Sequence, residues 1–168
     1  MRNTMFAFII LSLVACSSFN WDVHIDKANR YSVQYPNDWA KEIRGNSILF
    51  LSPLNGSGDR FKENVNLMLQ DLSQQPVTLE QYTDITKESV IANLGKQAIV
   101  SLKDATIQGI AAKEFVYNMN MNGNNLRIKQ YWFIKNKMAY LFTYTAEPSK
   151  YSEYEAVASK MVESFKFL

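Results

Sequence analysis

The chain of 168 residues has one cysteine, one histidine, four prolines and six glycines. A lone cysteine, Cys16, excludes a disulfide within the chain, and with it the stapled architecture of small secreted domains. A lone histidine, His24, leaves a single candidate base for Ser-His-Asp or Cys-His chemistry. Together they are too few for a tetrahedral zinc site of the usual kind. Neither sign of charge is in excess: the net charge is +2, which gives DNA or RNA little to be steered by. No apolar run reaches the roughly 20 residues that a membrane-spanning helix requires. What the chain does have is apolar content, at 47%. That is enough for one globular domain with a true core, and it excludes a disordered or collagen-like chain.

The N-terminus carries the first specific pattern. Arg2 supplies a positive charge, and Met5 to Ala15 then run apolar apart from Ser12. A short charged start before such a stretch is the build of a secretory signal. Its end, Leu13-Val14-Ala15-Cys16 followed by Ser17-Ser18, resembles a bacterial lipoprotein box. The resemblance implies cleavage before Cys16, a diacylglyceryl group on its sulfur and, with Ser17 in place of Asp, the outer membrane where the organism has one. The sequence thus divides into a signal at 1–15, a lipidated Cys16 with a polar tether at 16–27, and a domain at 28–168. Residues 17–27, at about 3.3–3.6 Å each when extended, would keep that domain close to the membrane.

Glycine and proline separate the patterned stretches of the domain. Arg30–Tyr35, Trp39–Arg44 and Ser47–Leu51 read as short strands, with Gly45-Asn46 as a tight turn. A polar loop over 54–62 leads to Asn64–Leu72, where Val65, Leu67 and Leu69 alternate with polar neighbours. Thr78 with Gln81 forms a capping box for a helix that ends at Gly95, its inner stripe being Leu79, Tyr82, Ile85 and Ser89. Ala98–Ile107, Ala111–Met121 and Leu126–Ile134 follow as strands, with Asn122-Gly123 as a hairpin turn. Met138–Thr145 is apolar on both sides, as befits the middle of a sheet. Ser152 with Glu155 caps a last helix striped by Tyr154, Val157, Met161 and Phe165. This is an α+β pattern, and we expect one antiparallel sheet with helices on both faces.

The first strand and its exit, Tyr31-Ser32-Val33-Gln34-Tyr35-Pro36-Asn37-Asp38-Trp39, resemble the opening of the PsbP-like family. The order of later elements continues the resemblance to the closing Ser164-Phe165-Lys166-Phe167. The family implies an antiparallel sheet between helices, as in the extrinsic subunit of photosystem II, a Ran-binding import factor and several bacterial lipoproteins. It also implies a binding or assembly role rather than catalysis. No metal residue is carried over, because the one histidine falls outside the family pattern, and no cofactor is expected.

Candidate sites are few. The loop residues Asn55, Asp59, Arg60 and Phe61 are the partner-binding candidates, since loops on rigid scaffolds often carry recognition. Gly56-Ser57-Gly58 lacks the spacing of a phosphate loop. Glu80, Asp84 and Glu88 fall on one helical face, either as a solvated surface or as a hydrolytic carboxylate pair. The aromatic residues Tyr131, Trp132, Phe133, Tyr140, Phe142 and Tyr144 are either core or the roof of a ligand pocket. Asn118, Asn120, Asn122, Asn124 and Asn125 surround the hairpin turn. The sequence therefore points to a membrane-anchored, non-catalytic envelope module with a protein partner and no nucleic acid. A small-ligand carrier is the alternative and a hydrolase the remotest.

Overall fold

The computed structural model describes residues 19–168, so the signal at 1–15 and Cys16 lie outside the described residues. The described chain runs β1 (Trp21–Asp26), β2 (Tyr31–Pro36), β3 (Ala40–Arg44), β4 (Ser47–Leu51), β5 (Asn64–Asp71), α1 (Leu79–Leu94), β6 (Ile99–Ile107), β7 (Ile110–Met121), β8 (Asn124–Lys135), β9 (Met138–Ala146), α2 (Tyr151–Glu163) and β10 (Lys166–Phe167). The fold is α+β, with two antiparallel sheets rather than the single one expected. Seven strands form one in the order β3-β4-β5-β9-β8-β7-β6, and three form the other in the order β1-β2-β10.

Local chemistry sets most of these elements. Asn122 and Gly123 both take positive φ, 54° and 85°, the left-handed geometry that matches a two-residue turn to the twist of its strands. The turn aligns Asn118 with Arg127 and Asn120 with Asn125 across β7 and β8. β9 lies between β5 and β8, which explains why its residues are apolar on both sides. Thr78 and Gln81 make the reciprocal capping box at the start of α1, and Gly95 ends the helix at a φ of 82°. A Cβ at Gly95 would also collide with the Gln97 amide.

Side chains of the large sheet pack into two clusters. Neighbouring residues on a strand point to opposite faces, so Trp132 and Phe133, both with no exposed surface, fall into different ones. Trp132 and Phe115 pack with Val90 of α1 and its partly buried neighbours Leu79, Tyr82 and Leu94. Phe133, Phe142, Tyr144 and Leu67 pack with Tyr154, Val157 and Met161 of α2 and with Tyr31 and Val33 of β2. Phe165 ties that cluster together. Its ring centroid lies 5.6 Å from Tyr31, 5.5 Å from Phe133 and 5.7 Å from Phe142.

Four details correct the sequence reading. The stretch 16–27, read as a tether, is a strand from Trp21 to Asp26, paired along its whole length with β2. The inner side of α1 includes Thr83 and Val90, whereas Ile85 is 59% exposed. Thr83 is held inside because its Oγ1 donates to Leu79 O and accepts from Trp132 Nε1 at 3.2 Å. Ser152 and Glu155 do not cap α2, which starts two residues earlier than such a cap would set it, at Tyr151 after Lys150 and without a side-chain cap. Finally, the C-terminal Ser-Phe-Lys-Phe does not continue that helix: Lys166 and Phe167 form β10 against β2.

Candidate functional site

The loop between β4 and β5 holds the residues expected to bind a partner. Asp59 folds it back on itself, accepting from the backbone N–H of Asn55 at 2.8 Å and of Phe61 at 3.1 Å. Those two hydrogen bonds hold the Asp59 carboxyl below the usual carboxylate range. Asn55 reaches across to α2, donating to Glu153 Oε1 at 3.2 Å and to Tyr154 Oη at 3.0 Å. Arg60 is exposed and Phe61 half-buried. The loop is therefore a pinned surface that exposes two cations, Arg60 and Lys62.

At the inner end of that loop lies Glu63, a buried carboxyl that no sequence pattern marks. It is 1% exposed, and its Oε1 has no hydrogen-bond partner among the described residues. Burial pushes its pKa up, against the pull of the Glu63 and Glu147 backbone amides. The Oγ of the neighbouring buried Ser52 is also unpartnered. Neither residue lines a described cavity.

Of the asparagines around the β7–β8 turn, Asn118, Asn120 and Asn125 line a cavity of about 620 Å³ between the hairpin and the end of α1, whereas Asn122 and Asn124 do not. Its apolar lining includes Leu94, Met119 and Leu126. On the strand wall, Arg127 Nε donates to Asn118 Oδ1 at 3.0 Å and Asn120 Nδ2 donates to Asn125 Oδ1 at 3.0 Å. The Gly123 N–H donates to Asn120 Oδ1 at 3.2 Å. With their oxygens engaged, these amides retain N–H donors. On the helix wall, Asn93 Nδ2 donates to Ser89 O and Gln97 Nε2 to Leu94 O, so their oxygens remain as acceptors. The sequence reading found the asparagines but not Arg127, Asn93 or Gln97. Counting back from Asn122-Gly123 would have paired Arg127 with Asn118.

The remaining candidates have structural roles. His24 is buried on the inner side of β1, its ring 5.9 Å from Tyr31 and 6.3 Å from Phe50, where a mobile linker residue was expected. Burial, with Lys41 nearby, lowers its pKa against the opposing effect of Asp26. Glu80, Asp84 and Glu88 are exposed along α1, with no cavity described between them. The aromatic strip divides between the two clusters as packed core. Lys129, 8% exposed, is held by Glu155 at 3.1 Å and Glu114 at 3.5 Å. Burial works against its charge, but Tyr131 and these carboxylates outweigh it and hold the ammonium above its ordinary range. Among the described residues there is no group of three or more side chains placed to hold a metal ion, and no helix long and apolar enough to cross a membrane.

Known proteins share this architecture at low identity. The solution structure of cyanobacterial PsbP from Synechocystis sp. PCC 6803 superposes with a TM-score of 0.64 at 12% identity, over 95% of this chain and 99% of that one. A Pseudomonas aeruginosa protein of unknown function, PA94, described as a putative regulator, gives 0.63 at 17% identity, over 86% of this chain and 94% of the other. LpqN, involved in cell envelope biogenesis of Mycobacterium tuberculosis, gives 0.60 at 11% identity, over 90% and 86%. These likenesses establish the fold alone. No curated protein matches the sequence. The PsbP family pattern matches residues 20–167, nearly all of the described chain, and the protein belongs to the PsbP family.

Proposed function

We propose that this protein is a non-catalytic binding module of the cell envelope, held at a membrane by acyl chains on Cys16 and assembling with a protein partner there. The carrying observation is the spacing between the lipoprotein-like Leu13-Val14-Ala15-Cys16 and the first strand at Trp21. A domain that begins so soon after an anchor is confined to the membrane surface. The LpqN likeness supports an envelope setting, and the Ser17 that follows the cysteine favours an outer membrane. In this reading the molecule is layered, with α1 on one face of the seven-stranded sheet and α2 with the three-stranded sheet on the other. The pinned loop, with Arg60 exposed on it, is the surface offered to the partner.

Cross-linking of the tagged protein in its own cells, with Cys16→Ala as control, tests this reading. One partner enriched in the wild type and lost in the variant is the expected result. A monomeric, partnerless protein that turns over a defined substrate would overturn it.

A second reading, a small-ligand carrier, is favoured by the cavity at the β7–β8 hairpin. Its donor-rich strand wall and acceptor-bearing helix wall suit a polar ligand that both accepts and donates, such as a polyol or sugar. Native mass spectrometry of the purified protein should then show a bound mass that Arg127→Ala removes.

A further inference from the structure

We infer that the outward face of the β1-β2-β10 sheet lies against the lipid bilayer, placing Trp21, Val23 and Ile25 at the boundary between headgroups and acyl chains. The inference rests on the anchoring of Cys16 proposed above and adds to it an orientation. Its first support is reach. Phe19 already packs against the core, and the Asn20 carbonyl accepts from the Asn37 N–H at 2.9 Å. The chain is thus fixed from Phe19 onward, and the three steps from Cys16 to Phe19 cannot extend beyond about 10 Å. A headgroup layer is itself about 5–8 Å thick. The beginning of β1 is therefore held at the headgroups, and the side of the domain that carries β1 meets the bilayer first.

The second support is the character of that side. Pairing with β2 sorts β1 by face: Asp22, His24 and Asp26 lie opposite the inward Tyr35, Val33 and Tyr31, while Trp21, Val23 and Ile25 lie opposite Pro36, Gln34 and Ser32. The two aspartates thus fall on the other face, with Asp22 still exposed, while Val23 and Ile25 turn onto the outer face and Trp21 stands half-buried at its end with one side against the core. Val23 is 52% and Ile25 53% exposed, an arrangement that leaves β-branched side chains in water along an edge strand, where they invite aggregation. Lysine flanks them. Lys160 of α2 stands 4.3 Å above the Trp21 ring, and Lys166 pairs with Ser32 on the same face. A half-buried tryptophan beside exposed aliphatic residues, with two lysines able to extend toward phosphate, is the composition of a surface seated in the bilayer interface.

Fluorescence tests the proposal directly. Of the chain's three tryptophans, Trp39 and Trp132 are buried, so lipid contact is reported by Trp21. The lipidated full-length protein is reconstituted into phosphatidylcholine vesicles, with or without bromine on the acyl chains near the headgroup. Bromine should cut the Trp21-dependent emission, taken as wild type minus Trp21→Phe, by about twofold or more, as expected of a ring in the interface. The double variant Val23→Asp/Ile25→Asp, altered only at exposed positions, should float with the vesicles and lose most of that quenching. Floating protein whose Trp21 emission ignores bromine overturns the orientation and leaves the anchor standing. Quenching undiminished in the double variant overturns the assignment of this face. If Cys16→Ala still floats and is quenched, the face holds and the anchor falls; if the wild type does not float, both fall.

Discussion

Glu63 shows how much a single side chain can hold back. Its carboxyl is buried with one oxygen unpartnered, and burial raises its pKa above the ordinary 4.5. In the window above 4.5 the folded state therefore binds the proton more tightly than the unfolded one, and stability falls as pH rises through it. Glu63→Gln removes that loss and retains an oxygen for the Glu147 amide. The variant should melt with the wild type at pH 4 and about 2–4 °C higher at pH 8, a gain of about 1 kcal/mol. Thermal melts at the two pH values check this, and a variant less stable at pH 8 would refute it. His24 has the opposite sign. Its lowered pKa costs stability as pH falls below 6.5. Neither residue announced its place in the sequence, because periodicity registers apolar side chains, and these two are polar groups carried inside by apolar neighbours.

Among elements, the two helices make a natural contrast. Both carry the sequence of a capping box, Thr78 with Gln81 and Ser152 with Glu155, yet only the first forms one. At α2, turns that run from Glu147 to Lys150 and from Lys150 to Glu153 start the helix ahead of Ser152. Thr78→Ala should cost about 1 kcal/mol, whereas Ser152→Ala, exposed within the helix, should stay within about 0.5 kcal/mol. Equal losses in chemical denaturation would show that the cap at Ser152 forms after all. The strands and hairpin turns were legible because turn chemistry and alternation are local signals. β1 was not, although Trp21, Val23 and Ile25 do alternate. Val23 and Ile25 face outward and are exposed while His24 is the one buried residue, so the segment looked like a polar tether. The hairpin asparagines were legible as a cluster, but the cavity they line also needs Asn93 and Gln97 from α1, which lie far off in sequence.

At the scale of the whole molecule, the two sheets are joined through Phe165, which touches rings from β2, β8 and β9. The sequence marked it as an apolar residue of the last helix but not as the junction of two sheets, since its partners are gathered only by the complete fold. Phe165→Ala should cost about 3–5 kcal/mol, a large share of the roughly 5–15 kcal/mol that holds a domain together. A urea midpoint shifted by less than a third of that would mean that the sheets are coupled elsewhere.

The small sheet also sets an order of events. Its middle strand, β2, is flanked by the first strand of the described chain and by the last. The Gln34 N–H donates to Ser164 Oγ across 130 residues of sequence. The core around Phe165 is thus incomplete until β10 has paired with β2. A sheet that seals only when its first and last strands meet ties folding to contacts of long sequence separation, the kind that form slowly.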